Sequence, residues 1–146
     1  MNWNEKIDRI KKSFITDDFS VPHLGRKRIL KEIESRFVQR PPDYHHSNDF
    51  KEPFGDWWSH LKARCAVNTP SDYSNLLNAH MGSAESYWII CELSNGVFLY
   101  KSKLLATMEL IRAVQNQTEA FHIVDLKYKH LLALKFESSQ LSLKSI

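Results

Sequence analysis

The side chains of this chain that could do chemistry gather between residues 43 and 58. Asp43, His45, His46 and Asp49 share one short polar stretch, and Glu52 and Asp56 follow. Imidazoles and carboxylates are the groups that ligate zinc or move protons. A zinc site needs a defined ligand spacing, and neither His-Glu-x-x-His nor Cys-x-x-Cys occurs here. Without that spacing an exposed polar loop is the expectation, and partner contact suits such a loop better than catalysis. Trp57 and Trp58 close the stretch. Neighbouring residues on a helix point about 100° apart, so one ring is expected in the core and the other at its edge.

Other constellations are weaker. Arg26, Lys27, Arg28 and Lys31 could meet phosphates, but Glu32 and Glu34 interrupt them, so a solvated helix face is expected. Cys65 and Cys91 sit in apolar strings and read as inert buried thiols. Two cysteines do not make a disulfide framework, which points to a reducing compartment. The four glycines stand apart, so no phosphate-cradling loop is present. His122 and Asp125 flank a strand end and read as structural. No catalytic residue, metal or cofactor is expected.

Composition agrees with one ordinary globular domain: 146 residues, 42% hydrophobic and 25% charged. The formal net charge is +3, and the excess of basic residues falls within residues 1–40. That is thinner than the stripe of a dedicated nucleic-acid binder, so nucleic acid is not the expected partner. The first residues carry charges where a secretory signal needs an apolar run, and no stretch approaches the ~20 apolar residues of a membrane helix. A cytoplasmic protein is expected.

These groups need elements to hold them. Trp3, Ile7, Ile10 and Phe14 mark one helix face, with Asn2 and Glu5 as a capping pair. A second helix is expected to open at Ser20-Val21-Pro22, carry Ile29, Leu30, Ile33 and Phe37 inward, and stop at Pro41-Pro42. Residues 41–55 read as an irregular loop. Asp56 is expected to cap a short helix with Trp57, Trp58 and Leu61. Ala63–Val67 reads as a strand, and Thr69-Pro70-Ser71-Asp72 has the grammar of a helix start. Tyr87–Leu93, then Ser94-Asn95-Gly96, then Val97–Tyr100 is a hairpin signal. Ser102 is placed to cap a helix with Leu104, Leu105, Met108 and Ile111 inward. Phe121–Val124, Leu131–Phe136 and Leu141–Leu143 read as closing strands. The sum is a single α+β domain, residues 1–146. It has a helical part at 1–40, the loop at 41–55 and an α+β core at 56–146. About four to six antiparallel strands are expected, with helices on one side.

Two strings carry a family resemblance: Tyr87-Trp88-Ile89-Ile90-Cys91-Glu92, and Phe121-His122-Ile123-Val124-Asp125-Leu126-Lys127-Tyr128-Lys129-His130-Leu131-Leu132. They resemble small bacterial α+β domains with a Tyr-Trp-Val strand and a closing Tyr-Ile-Val-x-x-Lys-Tyr-x-Trp-Leu-Leu segment. Over residues 57–140 the order of elements is similar to that of immunity proteins of polymorphic-toxin systems, the SUKH group among them. His130 stands where those domains often have Trp, and their Glu-Asn-His-His string is replaced by Leu134-Lys135-Phe136-Glu137.

The resemblance implies a protein that neutralises a cognate toxin by masking its active site, without catalysis. The residues expected to meet that partner are Asp43, Tyr44, His45, His46, Asp49, Glu52, Asp56, Trp57 and Trp58. Their acids outnumber Lys51, which would complement the basic active site of a nuclease toxin. Two alternatives stand beside this. One is a nucleic-acid-associated module using the basic helix at 26–36. The other is a metal-dependent enzyme using His45, His46 and Asp43.

Overall fold

The structure, a computed structural model, describes residues 2–44, 54–62, 66–70, 73–94, 96–137 and 140–146. Helix α1 (Trp3–Ser13) starts as its sequence dictates. Asn2 accepts the Glu5 amide at 2.9 Å, and its own side-chain amide donates to the Glu5 carboxylate at 3.1 Å. Ile7 and Ile10 are its buried stripe. A two-residue strand β1 (Phe19–Ser20) follows, then α2 (Arg26–Phe37). Ser20-Val21-Pro22 therefore does not open α2. Its N-cap is Gly25 at φ 78°, a left-handed turn that glycine enters without steric cost.

The remaining elements are β2 (Ala66–Pro70), α3 (Tyr73–His80), β3 (Tyr87–Leu93), β4 (Gly96–Ser102), α4 (Leu104–Val114), β5 (Ala120–Asp125), β6 (Leu131–Glu137) and β7 (Gln140–Ser145). Thr69 and Pro70 belong to β2 rather than to a helix start. Proline is tolerated there because β2 is an edge strand. Ser102 does not cap α4 either: the cap is Lys103, and Thr107 Oγ1 donates to the Lys103 carbonyl at 2.9 Å.

The strands form one antiparallel sheet in the order β1-β4-β3-β5-β6-β7-β2, six full strands with the short β1 at one edge. The expected α+β class with an antiparallel sheet is what the chain adopts. The β3–β4 hairpin registers Leu93 opposite Gly96 and Ile89 opposite Tyr100. β3 and β5 lie at the centre, and side chains alternate across them. Ile89, Cys91, Phe121 and Ile123 join Ile7, Ile10, Leu77, Leu110 and Ile111 in a first core, under α1, α3 and α4. Ile90 and Val124 join Ile29, Leu30, Ile33, Phe37 and Trp57 in a second core, under α2. Three helices thus share one side, as expected, and α2 alone covers the other. A central strand buried on both faces must be apolar almost throughout, which is why Ile89-Ile90-Cys91 and Phe121-His122-Ile123-Val124 read as runs.

Cys91 is fully buried, and that burial pushes its thiol far above its ordinary value. Cys65 lies outside the described residues. Since the thiolate is the reactive form, Cys91 is expected to resist iodoacetamide in the native protein and to be alkylated in denaturant. Peptide mass spectrometry checks this. Alkylation of Cys91 within minutes under native conditions would contradict its place in the first core.

Candidate functional site

The end of α2 and the 54–62 segment are pinned together. Val38 and Leu61 form an antiparallel bridge. The Gln39 amide donates to the His60 carbonyl at 2.7 Å, and the Lys62 amide to the Phe37 carbonyl at 2.9 Å. Residues 40–44 and 54–60 are therefore the two flanks of an excursion closed at its base.

Side chains brace both flanks of that excursion. Arg40 donates one guanidinium nitrogen to Glu34 at 3.1 Å and the other to the Gly55 carbonyl. Its guanidinium also lies over the Tyr44 ring, 4.9 Å from the centroid. The Tyr44 hydroxyl donates to the Asp56 carboxylate. Burial, and next the bond to Asp56, push this phenol up to about 12, so it remains a donor at neutral pH. His60 stands 3.8 Å from the same carboxylate, its ring edge-on to Tyr44.

Gly55 at φ 113° and Asp56 at φ 54° bend the chain sharply. Asp is among the few side chains that enter the left-handed region readily. The bend drives Trp57 inward, where it is fully buried. Its indole N–H donates to Glu34 at 2.7 Å, and its backbone N–H donates to Glu92 at 2.8 Å. Glu92 is buried too, and its second oxygen meets His122 Nε2 at 2.7 Å. A connected polar path thus runs from the excursion through Trp57 to the centre of the sheet.

Only part of the expected binding set can be placed. Asp43 is exposed in the turn after Pro41, Tyr44 is half-buried, and Asp56 keeps 49% of its side chain exposed. These three stand on the braced flanks. His45, His46, Asp49 and Glu52 lie outside the described residues. Trp57 is a correction: with no exposed surface it cannot touch a partner, and it anchors the segment instead. Trp58 is the edge ring, half-buried on the sheet surface. Lys144 and Lys135 lie over it at 4.6 and 5.9 Å, and Lys144 Nζ donates to its carbonyl at 2.7 Å. Burial, then the Lys135 charge, lowers the Lys144 ammonium from its ordinary value. Asp56 caps no helix, since the 3-10 turn Trp58–His60 has no side-chain cap.

The basic helix is the solvated face expected of it except at Arg26. Arg26 donates to the Val97 carbonyl at 2.7 Å and is tied to the sheet, while Lys27, Arg28 and Lys31 are exposed. Among the described residues, no three metal-ligating side chains stand together, and no helix is long and apolar enough to cross a membrane.

Glu34, Arg40, His60, Glu92 and His122 do the bracing and were not singled out by the sequence for it. One signal was available: Glu92 and His122 are lone polar residues inside apolar strand runs. Fold and site together define an α+β domain that carries two side-chain-braced flanks, residues 40–44 and 54–60, against one face of its sheet. No known protein family matches the chain, and no curated protein is significantly similar to it.

Proposed function

We propose that this chain binds a basic face of a protein partner and masks it, as an immunity-type protein does with a cognate bacterial toxin. The observation that carries the reading is the bracing of the excursion on both flanks by Arg40 and Tyr44. Flanks held in place before a partner arrives lose less conformational entropy on association. The exposed carboxylates of Asp43 and Asp56 supply charge for a basic surface. The family resemblance points the same way. A nuclease toxin would offer such a surface.

The first test is capture of a stoichiometric partner from the native host with tagged protein at high salt. Suppression of that partner's toxicity at a one-to-one ratio must follow. Charge removal then addresses the residues. Asp43→Lys with Asp56→Asn keeps a side chain tolerated at positive φ, and is expected to weaken the complex about tenfold, mainly through slower association. A captured partner with no toxicity to suppress would remove the reading. Unchanged affinity in the charge variant would remove the residue assignment.

A second reading rests on Lys27, Arg28 and Lys31, which share one depression along α2. It predicts nucleic-acid binding that falls steeply between 50 and 200 mM salt, on the order of a decade or more for a few phosphate contacts.

A further inference from the structure

On the face of the sheet opposite the excursion, α1 and α4 pack side by side and leave a groove of about 520 Å³. That lies within the roughly 300–1,000 Å³ of small-molecule sites. Its floor is apolar: Ile10 from α1, Phe14 at that helix's C-cap and Ala113 from α4. Ala113 lines it with a single methyl group.

The rim is basic. Lys6 reaches across to Gln117 at 3.2 Å. Arg112 pairs with Glu109 at 2.8 Å. Arg9 is exposed and makes no side-chain bond among the described residues. Three cations thus face one carboxylate, above an apolar floor.

We propose that this groove binds a small free anionic amphiphile, an aliphatic or aromatic carboxylate. The tail covers Ile10, Phe14 and Ala113, and the head group takes paired hydrogen bonds from Arg9 and Arg112, whose planar donors match a carboxylate. A neutral ligand of the same shape satisfies only the floor. An inorganic anion satisfies only the rim. The proposal does not depend on the masking function, because the groove and the braced flanks lie on opposite faces of the sheet.

The experiment is calorimetric titration of the full chain with decanoate below its micellar concentration. One saturable site is expected, with decanol at least about tenfold weaker. Arg9→Glu with Arg112→Glu changes two exposed side chains and is expected to weaken decanoate by about tenfold or more. Ala113→Trp fills the groove and is expected to abolish binding, with thermal melting confirming that the variant folds. Lys27→Glu with Lys31→Glu, on α2, is expected to bind as the parent does. Equal affinity for decanol and decanoate would overturn the proposal. So would retained binding in the charge-reversed and groove-filled variants. So would binding to phosphatidylglycerol vesicles that decanoate does not compete away, which would place the preference in a lipid surface.

Discussion

Trp57→Ala is expected to lower stability by about 3–5 kcal/mol, while Trp58→Ala costs about 1 kcal/mol. The two residues are adjacent in sequence and differ only in where the bend at Gly55-Asp56 sends them. Trp57 is fully buried in the second core, with its ring edge against His122 at a centroid distance of 5.3 Å. Truncating it empties that space. It also takes away the donor from which Glu34 accepts, leaving Arg40 as that carboxylate's remaining partner among the described residues. A domain of this size is held by only about 5–15 kcal/mol, so the loss is a large share of the whole. Trp58 gives up two lysine contacts and only the partial packing of a half-buried ring at the edge of the second core. Urea unfolding of both variants, compared at equal slope, reads the difference directly. Similar costs for the two would mean that the 54–60 segment is not an integral part of the second core. Trp57→Phe separates the contributions. It retains most of the buried area and loses the indole bond, and is expected to fall between the parent and Trp57→Ala.

The sequence made local order legible and long-range pairing not. Helix α1 could be read because its cap, its apolar stripe and its basic last turn all lie within a dozen residues. The β3–β4 hairpin could be read for the same reason. Boundaries failed where one residue type serves two grammars. Pro22 looks like a first helical residue, but Gly25 sets the start of α2 by entering the left-handed region. Pro70 looks like another, but it ends an edge strand that can spare its amide. Helices were expected on one side because amphipathic stripes do not say which sheet face they meet. The runs in β3 and β5 already implied two buried faces, and α2 is what covers the second. In the candidate site, the acidic and aromatic composition was visible. The bracing was not, because it joins Arg40 to Gly55 and Trp57 to Glu92 across stretches that only the folded chain brings together.

The Glu92–His122 contact gives the second large effect. Glu92→Leu and His122→Leu are each expected to cost about 3–5 kcal/mol, and the double variant clearly less than their sum. Glu92 spends its carboxylate on two donors, the Trp57 amide and His122 Nε2. Nδ1 of His122 is buried with no partner among the described residues. The tautomer with its hydrogen on Nε2 suits this site, since it leaves a bare acceptor rather than an unpaired donor. Removing Glu92 strands both donors in a dry core, and removing His122 strands half of a carboxylate. Removing both leaves two apolar side chains on one sheet face, which a core accepts far more cheaply. A coupling of about 1–3 kcal/mol in the double-mutant cycle is the expected reading, and strict additivity would mean that the two groups do not act as a pair. The double variant also isolates what the pair does beyond stability. The Trp57 amide still has no acceptor there, so its hydrogen exchange is expected to be faster than in the parent even where global stability returns. Unchanged exchange at Trp57 would mean that the bend at Gly55-Asp56 holds the segment unaided. Faster exchange, with weaker binding of a captured partner, would tie the buried pair to the excursion it positions.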